Sequence, residues 1–294
     1  MVATITAGMK RRFIDEFKID ADSSTVNYYI GISRSEDWNA SDTAPAPVNT
    51  EREQRNFRHG LQSVKKVVDY SFVIPRENWT ANTIYAAYND AVEAHPTVPY
   101  YAVTESNQVY VCTRQGSNDA GVVKTSTVQP TGSSTKGIVL TDGYAWKFLY
   151  TIGTLDAAAY KSANFMPVKL QGATDSSSPA TDVEQLAIQT AAVPGRQIIG
   201  FSLDSGGTGY TSNPTVTITG DGDLTANSGA HAEAIHFGGS IVKIVLKDDS
   251  AGAANAIEMG QGFNFASIAL SGGGASSQTT GKVILGPKAG LGAD

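Results

Sequence analysis

"PYYAVTESNQVYVCTRQG", residues 99–116, sets two runs of aromatic and β-branched residues on either side of the turn formers Glu105, Ser106 and Asn107. Side chains of that kind fit a pleated, half-buried surface, and a short polar break between two such runs is the signature of a β-hairpin. Further along, "GYAWKFLYTI" (143–152) restores the alternation and places Tyr144, Trp146, Phe148 and Tyr150 on one face of a strand. Together these stretches predict a mainly β fold of the α+β class. Composition points the same way, since 30 glycines accompany many Thr, Ser, Val and Tyr residues, the material of strands and tight turns. With 294 residues the chain can bury a full core as one large domain or two ordinary ones.

Helical patterns sit upstream. Met9, Phe13 and Phe17 recur four apart in "MVATITAGMKRRFIDEF", predicting a helix over 5–17 with Lys10, Arg11 and Arg12 largely off the apolar face. Basic residues inside such a pattern are not the start of a secretory signal, and no apolar run approaches the twenty or so residues that cross a bilayer. "TVNYYIGIS" (25–33) reads as a buried strand and "NASDTAPAPVN" (39–49) as a loop. "TEREQRNFRHGLQSVKKVVDY" (50–70) reads as one long helix. Thr50 and Glu53 have capping-box spacing, and Phe57, Leu61, Val64 and Val68 form a stripe. Gly60 costs that helix roughly 1 kcal/mol against alanine and marks a bend or a close contact. "YSFVIP" (70–75) predicts a strand and "TIYAAYNDAV" (83–92) a short helix. Residues 115–137 are polar and rich in Thr and Ser.

"GATDSSSPATD" separates this part from the rest, giving a mixed α/β region over 1–175, a linker or loop over 176–195 and a glycine-rich β region over 196–294. The distal region contains a repeat. "IIGFSLDSGGTGYTSNPTVTITGDG" (198–222) is answered by "IVKIVLKDDSAGAANAIEMGQGFNFASIALSGGG" (241–274). Each copy runs from a strand through a Gly-aromatic turn (Gly209-Tyr210, Gly262-Phe263) to a second strand and a glycine stop. That predicts a hairpin-like unit used twice, with a longer excursion in the second copy.

A search for chemistry finds little. His231 and His236 lie on opposite faces of a strand, and His59 and His95 stand alone, so no metal set emerges. Cys112, the single cysteine, alternates within "VYVCTR" as a small core residue, and its solitude excludes an internal disulfide and suits a reducing cytoplasm. "GDGD" (220–223) lacks the later acids of a calcium loop, and "GGTGYTS" (206–212) lacks the helix and lysine of a phosphate cradle. The net charge of −6 argues against a nucleic-acid binder; the cluster Arg52, Arg55, Arg58, His59, Lys65 and Lys66 reads as a solvated face. Two stretches share a pattern: Arg34, Glu36, Asp37 and Trp38 in "GISRSEDWN", and Arg76, Glu77, Asn78 and Trp79 in "VIPRENW". Glu36, Asp37 and Glu77 could serve as a glycosidase pair with Trp38 or Trp79 as sugar platform. The stronger reading is structural. A tryptophan just past a strand end anchors a loop, and an arginine there pairs with a nearby carboxylate.

Taken in order, "GISRSEDWN", "VIPRENW", "VYVCTR" and "DGYAWKFLYTI" resemble the signature blocks of the T4-type phage baseplate wedge protein numbered eight in its gene series. The resemblance spans residues 1 to 170; the glycine-rich distal half departs from the family, which is more aromatic there. It implies a layered β-sandwich with helices on inserted excursions and a virion structural protein without catalytic activity, cofactor or metal. It implies a homodimer that joins neighbouring wedge proteins of a contractile-tail baseplate, binds neither nucleic acid nor membrane, and assembles in the host cytoplasm. On this reading Arg34, Glu36, Trp38, Arg76, Glu77, Trp79 and Trp146 are structural or interface residues. The ending "KVILGPKAGLGAD" stops where the family continues into further strands, so the chain is expected to be cut short. Two rivals stand beside it: a tail-tip carbohydrate-binding adhesin using "YYIG" (28–31) and "GTGYTSN" (207–213), and a tail-associated glycosidase.

Overall fold

Strand-forming sequence dominates the computed structural model, which describes residues 7–23, 25–33, 49–89, 97–168, 179–224, 231–247, 256–257 and 259–293. The chain divides into two compact units, Met1–Tyr70 and Ser71–Asp294. The first holds α1 (Ala7–Asp22), β1 (Tyr29–Ser33), α2 (Glu51–His59) and β2 (Leu61–Lys66). β1 and β2 pair antiparallel from Tyr29↔Lys66 to Ser33↔Leu61. The helix expected over 50–70 begins as expected, with the Thr50 hydroxyl accepting from the Glu53 amide at 3.3 Å, but it ends at His59. Gly60 turns the chain back onto β1 so closely that a Cβ there would meet the Ser33 hydroxyl at 2.7 Å. The amides of 61–66 then join a ladder instead of a helix: the helical stripe through Leu61 and Val64 gives way to strand pairing.

The second unit is built on a five-stranded antiparallel sheet. It contains β4 (Tyr101–Val103), β5 (Gln108–Arg114), β6 (Gly137–Val139), β7 (Ala145–Thr151) and β13 (Ala256–Ile257), in the order β13-β6-β7-β5-β4. The hairpin β4–β5 is the one the sequence predicts, with Asn107 taking the positive φ of 60° that its turn requires. β3 (Phe72–Pro75) pairs with β8 (Phe165–Val168), and α3 (Thr154–Tyr160) precedes β8. Residues 83–89, expected as helix, are not helical. Their amides go to the sheet instead, Ala86 N to the Pro99 carbonyl and Tyr88 N to the Cys112 carbonyl. Residues 90–92 of that prediction lie outside the described residues. The stretch expected as linker contains α4 (Ala180–Ala192), which buries Gln185, Ile188, Gln189 and Ala192 and packs on β7.

β7 departs from simple alternation. Tyr110 faces Phe148 but Val109 faces Tyr150, so Leu149 is an extra residue in a bulge. Trp146, Phe148 and the preceding Tyr144 share a cluster with Tyr85, Tyr110 and Cys112, whereas Tyr150 is turned to the other side with Val109, Tyr101 and Met166. The remaining strands are β9 (Ile198–Ser205), β10 (Thr215–Gly220), β11 (Ala232–Phe237), β12 (Ser240–Leu246), β14 (Ala266–Ser271) and β15 (Thr280–Leu285). They do not form the two expected hairpins: β9 pairs with β15, β10 with β14 and β11 with β12. Ile198, Ile199, Leu246, Ile257 and Phe263 bring this region onto Val111 and Ala145 of the large sheet. Among the described residues no helix is long and apolar enough to cross a membrane.

Candidate functional site

Arg34, Glu36, Asp37 and Trp38 lie outside the described residues. The second block, 76–79, is placed, and it shows how such a segment works. Its backbone runs along the free edge of β4. The Val103 amide donates to the Glu77 carbonyl at 2.7 Å and the Trp79 amide donates to the Val103 carbonyl at 2.9 Å, a parallel bridge centred on Asn78. An edge strand left bare is a template for unwanted pairing, and this segment covers it. Arg76 does not seek a carboxylate. Its Nε donates to Asn78 Oδ1 at 2.8 Å and its Nη1 to the Ser162 carbonyl at 2.9 Å, so it ties the segment to the loop before β8.

Trp79 is half-buried against the Tyr144–Trp146 cluster, and its indole N–H donates to the Ser126 hydroxyl at 3.3 Å. Ser126 in turn donates to Asp142 Oδ2 at 3.1 Å, the same oxygen that accepts the amides of Thr127 (2.8 Å) and Val128 (3.0 Å). Asp142 Oδ1 takes the Tyr144 amide at 3.1 Å. One carboxylate therefore fixes the polar 115–137 region against the start of β7. The sequence offers "DGYAW" as a block, yet nothing in its spacing singles out the aspartate. Tyr85 closes the network: its hydroxyl accepts from the Thr80 amide at 2.8 Å, and its ring meets Trp146 edge-on at 5.0 Å. Trp146 is 0% exposed, so it is a core residue and no interface candidate; among the described residues its indole N–H has no hydrogen-bond partner.

The other reactive groups are occupied or inaccessible. Cys112 is fully buried, and burial pushes its thiol well above the usual range. Tyr210, offered as a sugar platform, is 3% exposed, with its hydroxyl taken up by the Thr279 amide and hydroxyl at 3.0 and 2.9 Å. Asp221 of "GDGD" staples a turn: the Phe265 and Asn264 amides and the Asn264 side chain donate to it and hold its carboxyl below the ordinary value. His236 is held by Asn213 at 2.8 Å, and His95 lies outside the described residues. Among the described residues no three His, Cys, Asp or Glu side chains are grouped to hold a metal. Lys147 is buried, donates to the Thr135 carbonyl at 2.7 Å, and is pushed down to about 8 by desolvation. A cavity of about 280 Å³ between Tyr88, Tyr100, Leu149, Gln189 and Leu291 has an apolar lining without a carboxylate, histidine or cation.

The first unit offers a different kind of feature. None of its described side chains is buried. Met9, Phe13, Ile14, Tyr29, Ile30, Ile32 and Val64 are all exposed. Among its internal ties, the Phe17 and Tyr28 rings lie 4.9 Å apart, and the Tyr70 hydroxyl donates to the Lys18 carbonyl and to Asp22. Large apolar groups exposed together in this way are the material of contact surfaces. No protein-family model matches the chain, and no curated protein matches it.

Proposed function

We propose that this is a structural virion protein, a baseplate wedge component of a contractile phage tail that links neighbouring wedge subunits and pairs with a second copy of itself. The observation that carries the reading is the first unit, none of whose described side chains is fully buried. A two-stranded ribbon and two helices so little buried stay marginal until a neighbour covers their apolar side chains. The four sequence blocks that resemble the wedge family support it from the other direction. Arg76, Glu77 and Trp79 serve the same end as scaffold, sealing the β4 edge of the second unit so that its contacts with partners stay specific. The layered sandwich implied by the resemblance belongs to this proposal, as do the virion location and the absence of catalysis.

The test is assembly. Contractile-tail particles purified from infected cells should contain the chain in fixed ratio to the other baseplate proteins. A variant lacking residues 1–70 should keep the thermal transition of the second unit yet fail to enter particles. A chain absent from purified particles, or one that assembles normally without residues 1–70, refutes the reading; strong binding on a glycan array would move it to the adhesin class.

A further inference from the structure

The repeat in the distal region has a consequence beyond its placement. Take residues 196–237 as one half and 239–286 as the other. Each half supplies, in order, a strand (β9 or β12), a turn of pattern Gly-x-Gly-aromatic (207–210 or 260–263), a second strand (β10 or β14) and a third (β11 or β15). The ladders among these six strands all run between halves and none within one: first strand to third, third to first, second to second; β13, in the second half's excursion, pairs with β6 instead.

The equivalence extends to single bonds. The Tyr210 amide donates to the Gly239 carbonyl at 3.0 Å, and the Phe263 amide to the Arg196 carbonyl at 3.1 Å; each acceptor stands two residues before an isoleucine of a first strand. Those isoleucines complete the exchange, Ile241 N donating to the Gly206 carbonyl and Ile198 N to the Met259 carbonyl, at 2.8 and 2.9 Å. The bridges Thr208↔Ser277 and Gln261↔Asp223 match as well. So do the left-handed glycines, Gly207 and Gly260 at φ 63° and 58°, Gly209 and Gly262 at 79° and 73°. Each buried aromatic lies under glycines of the opposite half. A Cβ on Gly273 would meet the Tyr210 ring at 2.8 Å, and one on Gly222 the Phe263 ring at 2.5 Å.

We infer that residues 196–286 are a fused dimer of half-modules. The mating surface of each half fits another half-module, and a second copy of this chain can supply it by reciprocal exchange. The link between halves is a two-residue turn, Gly238-Gly239, with both φ positive at 59° and 84° as a type I′ turn requires. A side chain added at Gly238 would meet nothing within 4 Å, so no packing ties that residue to its surroundings and only its positive φ holds it to glycine. The recognition lies in the ladders, the two aromatic sockets and the Gly239 carbonyl that accepts from the Tyr210 amide. The length of the turn decides whether the halves come from one chain or from two. This inference stands apart from the baseplate reading and survives its failure.

The experiment uses the full chain carrying Thr217→Cys and Ala269→Cys, partners across β10–β14 that both face outward, joined by a short bis-maleimide. The parent should cross-link within one chain. Deleting Gly238, which leaves one residue between β11 and β12 and keeps the Gly239 carbonyl for the Tyr210 amide, should move the link between chains and give a band of doubled mass on a denaturing gel, whatever association the first unit makes. A folded deletion variant that still links within one chain overturns the inference. Should the deletion variant not fold, a protease site inserted between Gly238 and Gly239 of the full chain decides. After cleavage the two pieces should stay together, and light and heavy-isotope samples, warmed and cooled together, should yield hybrids as about half of the complexes. Pieces that separate, or that form no hybrids, also overturn it.

Discussion

Trp79→Ala probes the sealing segment directly. A tryptophan buries up to about 250 Å² when fully enclosed; half-buried, it removes about 120 Å² from water, worth about 3 kcal/mol at about 25 cal/mol per Å². Its N–H to Ser126 adds about 1 kcal/mol, and collapse of the surrounding loop returns part of the sum. The expected loss is about 3 kcal/mol in urea unfolding followed by circular dichroism. Trp79→Phe keeps most of the ring and gives up the hydrogen bond, so it should lose about 1 kcal/mol. The Ser126→Ala partner closes a double-mutant cycle whose coupling of about 0.5–1 kcal/mol isolates the hydrogen bond. A loss below about 1 kcal/mol for Trp79→Ala would show that the indole merely rests on the surface, and the account of 76–79 as an edge seal would fail with it.

Lys147 predicts a pH dependence. Its folded value of about 8 lies below the ordinary 10.5, so between those values the unfolded chain binds the extra proton and stability rises with pH; below pH 8 both states are protonated and the folded state bears the full cost. Lys147→Met should therefore stabilise the protein by about 2 kcal/mol at pH 7, after about 1 kcal/mol for the lost Thr135 bond, with the gain shrinking by pH 9.5. A variant whose advantage is flat across that range refutes the assignment. Cys112 should resist iodoacetamide in the native protein and react only as the chain unfolds; labelling faster than unfolding would contradict its burial. Tyr210→Phe should lose about 1–2 kcal/mol by stranding the Thr279 amide, detectable as a lowered urea midpoint, while Phe263, with no polar tip, sets the comparison in the opposite half.

How much of this was legible in the sequence depended on whether a signal was local. The β4–β5 hairpin could be read because Asn107 and the runs beside it fix both turn and register within ten or so residues. The cap of α2 could be read for the same reason. Leu61 and Val64 could not, because their helical spacing is real and only the pairing with β1 overrides it. The bulge at Leu149 leaves no mark in "AWKFLYT", since either face could take Tyr150. In the glycine-rich repeat the aromatic turns were visible but the pairing was not. A hairpin and an exchanged pair of halves share one local sequence, and they differ only in which partner each strand meets. Of the candidate residues, Arg76 and Trp79 are hydrogen-bonded to their surroundings, Arg76 to carbonyl and amide oxygens and not to the carboxylate expected of it.

The contrast between the two units bears on how a protein of this kind can hold partners. The second unit has a core of its own: aromatic clusters on the sheet, a carboxylate that collects four donors, and sockets closed by glycine. The described isoleucines and phenylalanines of the first are exposed, a cost that a covering surface would offset. Ordering a marginal segment at the moment of contact subtracts from affinity, so such an arm binds less tightly than its apolar area suggests. That weakness suits an assembly in which many subunits must find register before any is committed, because each contact stays reversible until its neighbours are in place. On the proposed assembly role, a unit that buries its own aromatic clusters and a unit that exposes its apolar side chains would divide these tasks within one chain.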